Sequence, residues 1–152
     1  MQPSPANEEN IWHIDNELNL SDFHWVQRDG NTPGDCLLGK GSYAEVRLCK
    51  SKSNKLYACK VVNKAKIAKT NMQAYIQQEF EIHRRMKHPH ILRLHGVAQD
   101  RDNVYIYLDY CKNNSLYSHY RKRKRLKEEE AFVFFLQTAL GIPSLSICLT
   151  VF

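Results

Sequence analysis

The stretch Leu37–Lys60 constrains this chain more than any other, because a short apolar run leads into a glycine turn and alternating apolar residues follow it. Gly39–Ser42 forms the turn, and Ala44, Val46 and Leu48 follow it in alternation. That alternation is the period of a half-buried strand. The stretch therefore predicts strands joined by a tight turn, with glycines where the backbone must bend.

A third strand is predicted after the polar turn Ser51–Lys55. Leu56, Ala58, Lys60 and Val62 share one face of it. Three antiparallel strands in a meander are the simplest arrangement of these segments.

The period becomes helical between Lys69 and Lys87. The apolar stripe that this period predicts contains Met72, Tyr75, Ile76, Ile82, His83 and Met86. Glu79 falls at its centre, whereas Glu81 points towards solvent. A carboxylate on an apolar face is costly unless a cation meets it, so Lys60 is the expected partner of Glu79. The alternative is an exposed, unpaired glutamate at the edge of the helix.

Two more strands are predicted at Ile91–Val97 and Val104–Tyr110, joined by a polar hairpin loop. A short helix is expected near Ser115–Tyr120, and the acids Glu128–Glu130 open a longer one, since acids suit a first helical turn. The predicted fold class is α+β, with a five-stranded antiparallel sheet and one internal helix.

Net charge argues against a nucleic-acid-binding surface spread over the domain. Lys and Arg number 22 against 16 Asp and Glu, an excess of six, and Arg121–Lys127 alone holds six basic residues. The remainder of the chain is balanced, so the basic character is one local patch. A solvated linker is the expected role of that run, with nuclear import or an acidic partner as alternatives.

The cysteine pattern predicts free thiols in a reducing, intracellular setting. The five cysteines form no C-x-x-C pair or zinc-ligand spacing: Cys36, Cys49, Cys59, Cys111 and Cys148. Residues 1–10 lack the basic and apolar regions of a secretory signal. The expected location is cytoplasmic, with the nucleus as an alternative, and no metal site is predicted.

The chemistry of the central stretch suits a phosphate group. A turn with two glycines lets backbone N–H groups approach phosphate oxygens. Lys60 would supply a positive charge, and Glu79 would hold that lysine extended.

In order and spacing these motifs resemble the N-terminal lobe of a eukaryotic protein kinase. Gly39–Val46 matches G-x-G-x-x-G-x-V except that Ala44 replaces the third glycine, and Tyr57–Lys60 stands where the family has V-A-I-K. The phrase Glu79–Leu94 is similar to Aurora-type and Polo-type serine/threonine kinases. The resemblance runs from about Cys36 to Ile142.

The resemblance implies an ATP site, with Mg²⁺ in the complete family domain. Its nucleotide-binding positions would be Leu38, Gly39, Lys40, Gly41, Ser42, Tyr43, Ala44, Val46, Ala58, Lys60, Leu108, Asp109 and Cys111. By resemblance, Leu38, Val46 and Ala58 would sandwich the adenine, and Leu108 would guard the back pocket.

The remaining implied roles concern the hinge and the phosphates. The backbone of Asp109 and Cys111 would bond the base, and Tyr43 would lie at the loop tip over the phosphates. Lys60 would contact the phosphates and Glu79 would orient it, the two residues that the resemblance makes catalytic.

The chain divides by resemblance into a disordered or loosely packed leader (1–34), a kinase-like N-lobe (35–110), the hinge and first C-lobe helices (111–142) and a non-family apolar tail (143–152). These residues contain no H-R-D, D-F-G or A-P-E motif. The sequence therefore predicts a truncated kinase without phosphoryl-transfer activity, arising from a short isoform, a retained intron or a gene-model error. Pro143 is expected to interrupt the last helix.

Two alternatives belong to other classes. One is a non-catalytic nucleotide-binding or interaction module, whose partners would be ATP and a protein substrate or kinase regulator. The other is a C-terminal membrane anchor, since residues 131–152 contain no charge and follow the basic run.

Overall fold

The computed structural model describes residues 18–27, 36–70 and 72–149, with side chains as far as residue 143. This described part contains a six-stranded antiparallel sheet and four α-helices. In chain order the elements are β1 (Phe23–Trp25), β2 (Leu37–Lys40), β3 (Ala44–Ser51), β4 (Leu56–Asn63), α1 (Lys64–Ala68), α2 (Gln73–Arg85), β5 (Leu94–Gln99), β6 (Asn103–Asp109), α3 (Leu116–Arg123) and α4 (Glu128–Leu149). The strand order is β1-β3-β4-β6-β5, with β2 also paired to β3.

The sheet has one strand more than the sequence predicts, and that strand comes from the leader. Asn19 caps a short 3-10 helix, Leu20–Asp22, and β1 then pairs with β3 so that Phe23 lies opposite Ser51. A three-residue strand is too short to show a period, so only its tertiary partners identify it. Residues 1–17 and 28–35, which include most of the predicted leader, lie outside the described residues.

One face of the sheet is covered by α2, and we call it the α2 face. The register aligns Val46, Lys60 and Ile106 across three neighbouring strands, so their side chains share this face. The core on this face consists of Val62, Ile67, Ile76, Phe80, Leu94, Val97, Val104 and Ile106.

The buried stripe of α2 differs from the predicted one. Ile76 and Phe80 are its buried residues, whereas Tyr75 is 72% exposed. The Glu79 side chain is 55% exposed, so the prediction that it lies at the centre of the apolar face is wrong. The buried stripe runs through Ile76 and Phe80, which are four residues apart and therefore lie on the same side of the helix. The single predicted internal helix is also joined by a second, α1, which Asn63 caps.

The opposite face, which we call the leader face, carries a second core. Its buried members are Cys49, Cys59, Ala98 and Tyr107, and half-buried residues from β1, β4, β6 and the leader pack on them: Leu18, Leu20, Phe23, Tyr57, Val61 and Tyr105. The four cysteines among the described residues are free thiols, and Cys148 lies outside the described side chains.

The two C-terminal helices follow β6. Ser115 caps α3, and the predicted helix is confirmed and extends through Arg123, so the first three residues of the basic run are helical rather than a linker. Glu128–Glu130 open α4 as predicted. The helix continues through Pro143 to Leu149, so the predicted interruption is wrong there, although proline removes one backbone hydrogen bond from the helix.

Within residues 18–27, 36–70 and 72–149, none of the helices combines the length and the apolar composition that a membrane span requires.

Candidate functional site

Lys60 and Glu79 meet on the α2 face. The Lys60 ammonium donates to Glu79 Oε1 at 2.8 Å, and the Lys60 side chain is 20% exposed. The predicted pairing is therefore confirmed, and the alternative of an unpaired glutamate is wrong. Since Glu79 is mostly exposed, the pair contributes at most about 1 kcal/mol to stability. Its main effect is to hold the lysine in one direction.

The glycine turn leaves open space next to β3, the strand that pairs with the Lys60 strand. Gly41 N–H donates to the carbonyl oxygen of Ala44 at 2.8 Å, which closes the turn. A Cβ placed at Gly39, opposite Val46, would meet no atom within 4 Å. The absence of a side chain at Gly39 is therefore not a packing requirement of the protein, and the open space is available to a ligand.

Lys40 and Arg47 both pair with Glu45. The Lys40 ammonium lies 3.2 Å and the Arg47 guanidinium 2.8 Å from its carboxylate oxygens. The hydrogen bond from Arg47, followed by that from Lys40, lowers the pKa of Glu45. The structure thus ties Lys40 to a carboxylate on its own hairpin, and Ser42 is exposed at the bend.

Tyr43 turns inwards. Its half-buried ring packs against the core of the α2 face, and the Lys60 ammonium lies 6.0 Å from the ring centroid. Asn63 N–H donates to the Tyr43 carbonyl at 3.3 Å, which ties the end of the turn to β4. Tyr43 thus lies in the bend between β2 and β3, and its ring lies beside Lys60.

The predicted adenine positions come together next to Lys60. Ala58 is buried, lies two residues before Lys60 on β4 and pairs with Leu108 on β6. Val46 pairs directly with Lys60. Leu38 is half-buried and is the extra residue of an irregularity in β2, where the register shifts between Leu37 and Gly39.

The hinge begins at Asp109, the last residue of β6. Its amide donates to the carbonyl oxygen of Arg93 at 3.1 Å, and Cys111 two residues on is exposed. Asp109 Oδ1 lies 2.6 Å from His95 Nε2. The hydrogen bond from His95 lowers the pKa of the Asp109 carboxyl. Sequence reasoning missed His95, because its position depends on a register shift that no sequence pattern announces.

The site fits a nucleotide in three respects. A lysine is held by a carboxylate and has further N–H donors, a glycine turn with open space stands beside it, and apolar side chains line the same face. Among the described residues no group of three or more His, Cys, Asp or Glu could hold a metal ion.

Comparison with known proteins identifies the family. The protein kinase domain family matches residues 35–146. Serine/threonine-protein kinase PLK2 of Mus musculus is 32% identical over 110 residues, which are 72% of this chain and 16% of that protein. NUAK family SNF1-like kinase 2 of Homo sapiens is 35% identical over 105 residues (69% and 17%), and serine/threonine-protein kinase plk-2 of Caenorhabditis elegans is 37% identical over 106 residues (69% and 17%). The chain spans about a sixth of the length of these curated relatives. On the strength of the family match and of the lysine, helix and turn described above, this chain belongs to the protein kinase domain family.

Proposed function

We propose that this chain is the ATP-binding part of a serine/threonine protein kinase, whose parent activity transfers the γ-phosphate of ATP to a serine or threonine of a protein. The single observation that carries the proposal is the Lys60–Glu79 pair at 2.8 Å, which lies beside a glycine turn with open space. The serine/threonine class rests on the printed names of the relatives.

Each residue of the site has one task in this proposal. Lys60 neutralises phosphate oxygens as a point charge, and Glu79 orients the ammonium towards them. The backbone of the glycine turn approaches the phosphates without Cβ obstruction. Apolar contacts to the adenine come from side chains that we assign to Leu38, Val46 and Ala58, with Leu108 at the back.

The hinge would read the edge of the base. We assign the hydrogen bonds to the backbone of Asp109 and Cys111, while Tyr43 would close over the phosphates once its ring leaves the Lys60 side chain. ATP supplies the phosphoryl group, and Mg²⁺ neutralises its charge in family members.

We further propose that a polypeptide of these 152 residues binds nucleotide but transfers no phosphate. The residues that would position the acceptor hydroxyl and the metal in this family belong to H-R-D and D-F-G motifs, and neither occurs in this sequence. Phosphoryl transfer depends on positioning and charge neutralisation, so a chain without both groups lacks most of the catalytic effect.

A titration with a fluorescent ATP analogue, mant-ATP, tests the binding site. Lys60→Met should weaken binding by at least about tenfold, since it removes a hydrogen bond to a charged group. Lys66→Met is the matched control, because Lys66 is an exposed lysine on α1, and it should bind like the parent chain. Equal affinity of Lys60→Met and the parent would overturn the proposed clamp.

A second candidate function is a non-catalytic interaction module, which the exposed apolar side chains on α4 favour. Phe132, Val133, Phe135 and Leu140 are all exposed apolar residues on that helix. Sedimentation of the chain with and without mant-ATP separates the two candidates. A chain that binds no nucleotide but forms a defined complex would support the interaction module.

A further inference from the structure

A line of contacts crosses from the leader strand to the hinge. The Phe23 ring stacks on Tyr107, with centroids 4.1 Å apart, and meets Tyr57 edge-on at 5.5 Å. The Tyr57 ring in turn meets His95 edge-on at 5.0 Å. His95 Nε2 lies 2.6 Å from Asp109 Oδ1. Three successive contacts, Phe23 to Tyr57 to His95 to Asp109, therefore connect a residue before the glycine turn with the first residue of the hinge.

The histidine reaches this line because β5 is irregular. Leu94 pairs with Leu108 and Gly96 pairs with Tyr107, so His95 is one extra residue with no partner position on β6. An extra residue of this kind bends the strand and re-aims the side chain. The His95 side chain is largely buried between the ring of β4 and the hinge carboxylate.

Tyr57 is the central member of the line. It lies opposite Asp109 in the register of β4 and β6, and its ring contacts both Phe23 and His95. The Lys55 ammonium lies 5.2 Å from the centroid of the same ring, on the side of the β3–β4 turn. The orientation of Tyr57 is therefore set from three sides, and one of them is the leader.

We propose that Phe23 is a positioning residue for nucleotide binding. When β1 is docked, Phe23 orients Tyr57, Tyr57 and the irregular strand orient His95, and His95 holds Asp109 at the start of the hinge. The inference rests on the proposed function, which assigns the backbone of Asp109 to the adenine. Docking of the leader strand thereby sets the affinity of the site on the opposite face of the sheet.

The leader strand is suited to adjust that affinity. β1 has three residues, pairs only with β3 among the described strands, and contributes no fully buried residue. Short segments with little buried apolar surface open at low free energy. Undocking of β1 removes Phe23 from Tyr57 without dismantling the core on the α2 face.

The first test reads the hinge without any ligand, from the backbone amide NMR signals of residues 109–111. Phe23→Ala should move these signals, and Phe23→Tyr, which keeps the ring, should restore them. Trp25→Ala is the matched control, since Trp25 lies on the same strand, is 46% exposed and contacts Arg47 rather than Tyr57. It should leave the hinge signals in place.

The second test is a mant-ATP titration of the same variants. Phe23→Ala should weaken binding roughly threefold to tenfold, in line with the loss of aromatic pair contacts, while Trp25→Ala and Phe23→Tyr should match the parent. If Phe23→Ala gave the same hinge signals and affinity as Trp25→Ala, the proposal would be overturned.

A variant on the other side of Tyr57 covers the case in which Phe23→Ala does not fold. His95→Gln keeps a hydrogen-bonding side chain but removes the ring, and it should move the same hinge signals. Unchanged signals in that variant would also overturn the proposal. If the parent chain bound no mant-ATP, the proposed function would fail, whereas the hinge signals would still decide whether Phe23 positions Asp109.

Discussion

The two faces of the sheet are covered in different ways. On the α2 face, a 13-residue helix places Ile76 and Phe80 fully inside a core that also holds Val62 and Val104. On the leader face, the covering segment is short, and Phe23 is only half-buried. The α2 face therefore carries most of the packing that stabilises the fold, whereas the leader face is covered by a segment that can detach at lower cost.

Strand β4 connects these faces, because its residues point alternately to either side. Ala58 and Lys60 lie on the α2 face, and Tyr57 and Cys59 belong to the core of the leader face. Displacement of the segment that covers one face therefore also affects the adjacent residues of β4, whose side chains lie on the other face.

The largest loss of stability is expected for Phe80→Ala. Phe80 is 2% exposed, so the substitution leaves a cavity in the α2-face core and should cost about 3–5 kcal/mol in urea unfolding. Tyr75→Ala on the same helix is the control and should change the free energy of unfolding by about 0.5 kcal/mol or less. A cost for Tyr75→Ala as large as that for Phe80→Ala would contradict the burial of Phe80 and the exposure of Tyr75 on this helix.

Phe23→Ala should cost less, about 1–2 kcal/mol, because the ring is half-buried and makes two aromatic contacts. The measurement is the same urea unfolding, with Trp25→Ala as the control. A cost equal to that of Phe80→Ala would contradict the distinction between the faces.

Alkaline pH should weaken the leader face through Tyr107. Burial raises the pKa of Tyr107 well above its ordinary value of about 10, so the unfolded chain loses this proton first and stability falls as pH rises above about 10. Tyr107→Phe should reduce that fall by roughly 0.5–1 kcal/mol at pH 11, with solvent screening included. Urea unfolding at pH 9 and pH 11 measures the effect, and Tyr75→Phe, at an exposed position, should leave the fall unchanged.

An effect of similar size is expected at acid pH for His95→Gln. The hydrogen bond from His95 lowers the pKa of Asp109, so this carboxylate contributes stability above its unfolded pKa of about 4 and loses it as pH falls through the lowered value. His95→Gln should therefore cost about 0.5–1 kcal/mol at pH 5 and less at pH 2. His24→Gln on the exposed part of β1 is the control, and an equal cost of His95→Gln at both pH values would argue against the carboxylate as the source.

The sequence predicted the elements whose pattern is long enough to read. Alternation over β3 and β4 located Lys60, and the helical period located α2, so their pairing through Glu79 followed. The predicted buried face of α2 is wrong, since aromatic and aliphatic residues occur on both candidate faces of the helix. The sequence pattern does not show that Phe80 rather than Tyr75 is buried in the core.

Other features depend on tertiary contacts that no local pattern encodes. β1 has only three residues, and what identifies it is its pairing with β3 and the stacking of Phe23 on Tyr107. The irregularity at His95 turns its side chain towards Asp109, and the pattern of polar and apolar residues in β5 does not indicate it. The contacts that connect Phe23, Tyr57, His95 and Asp109 could therefore not be predicted from the sequence.

We expect Glu79 to act on a bound nucleotide only through Lys60, which a double-mutant cycle measures. The affinity for mant-ATP is measured for the parent chain, Lys60→Met, Glu79→Gln and the double variant. Glu79→Gln alone should weaken binding, and the double variant should match Lys60→Met within about twofold, since an orienting residue has no effect once its lysine is gone. Losses that multiply in the double variant, or full affinity in Lys60→Met, would contradict this expectation.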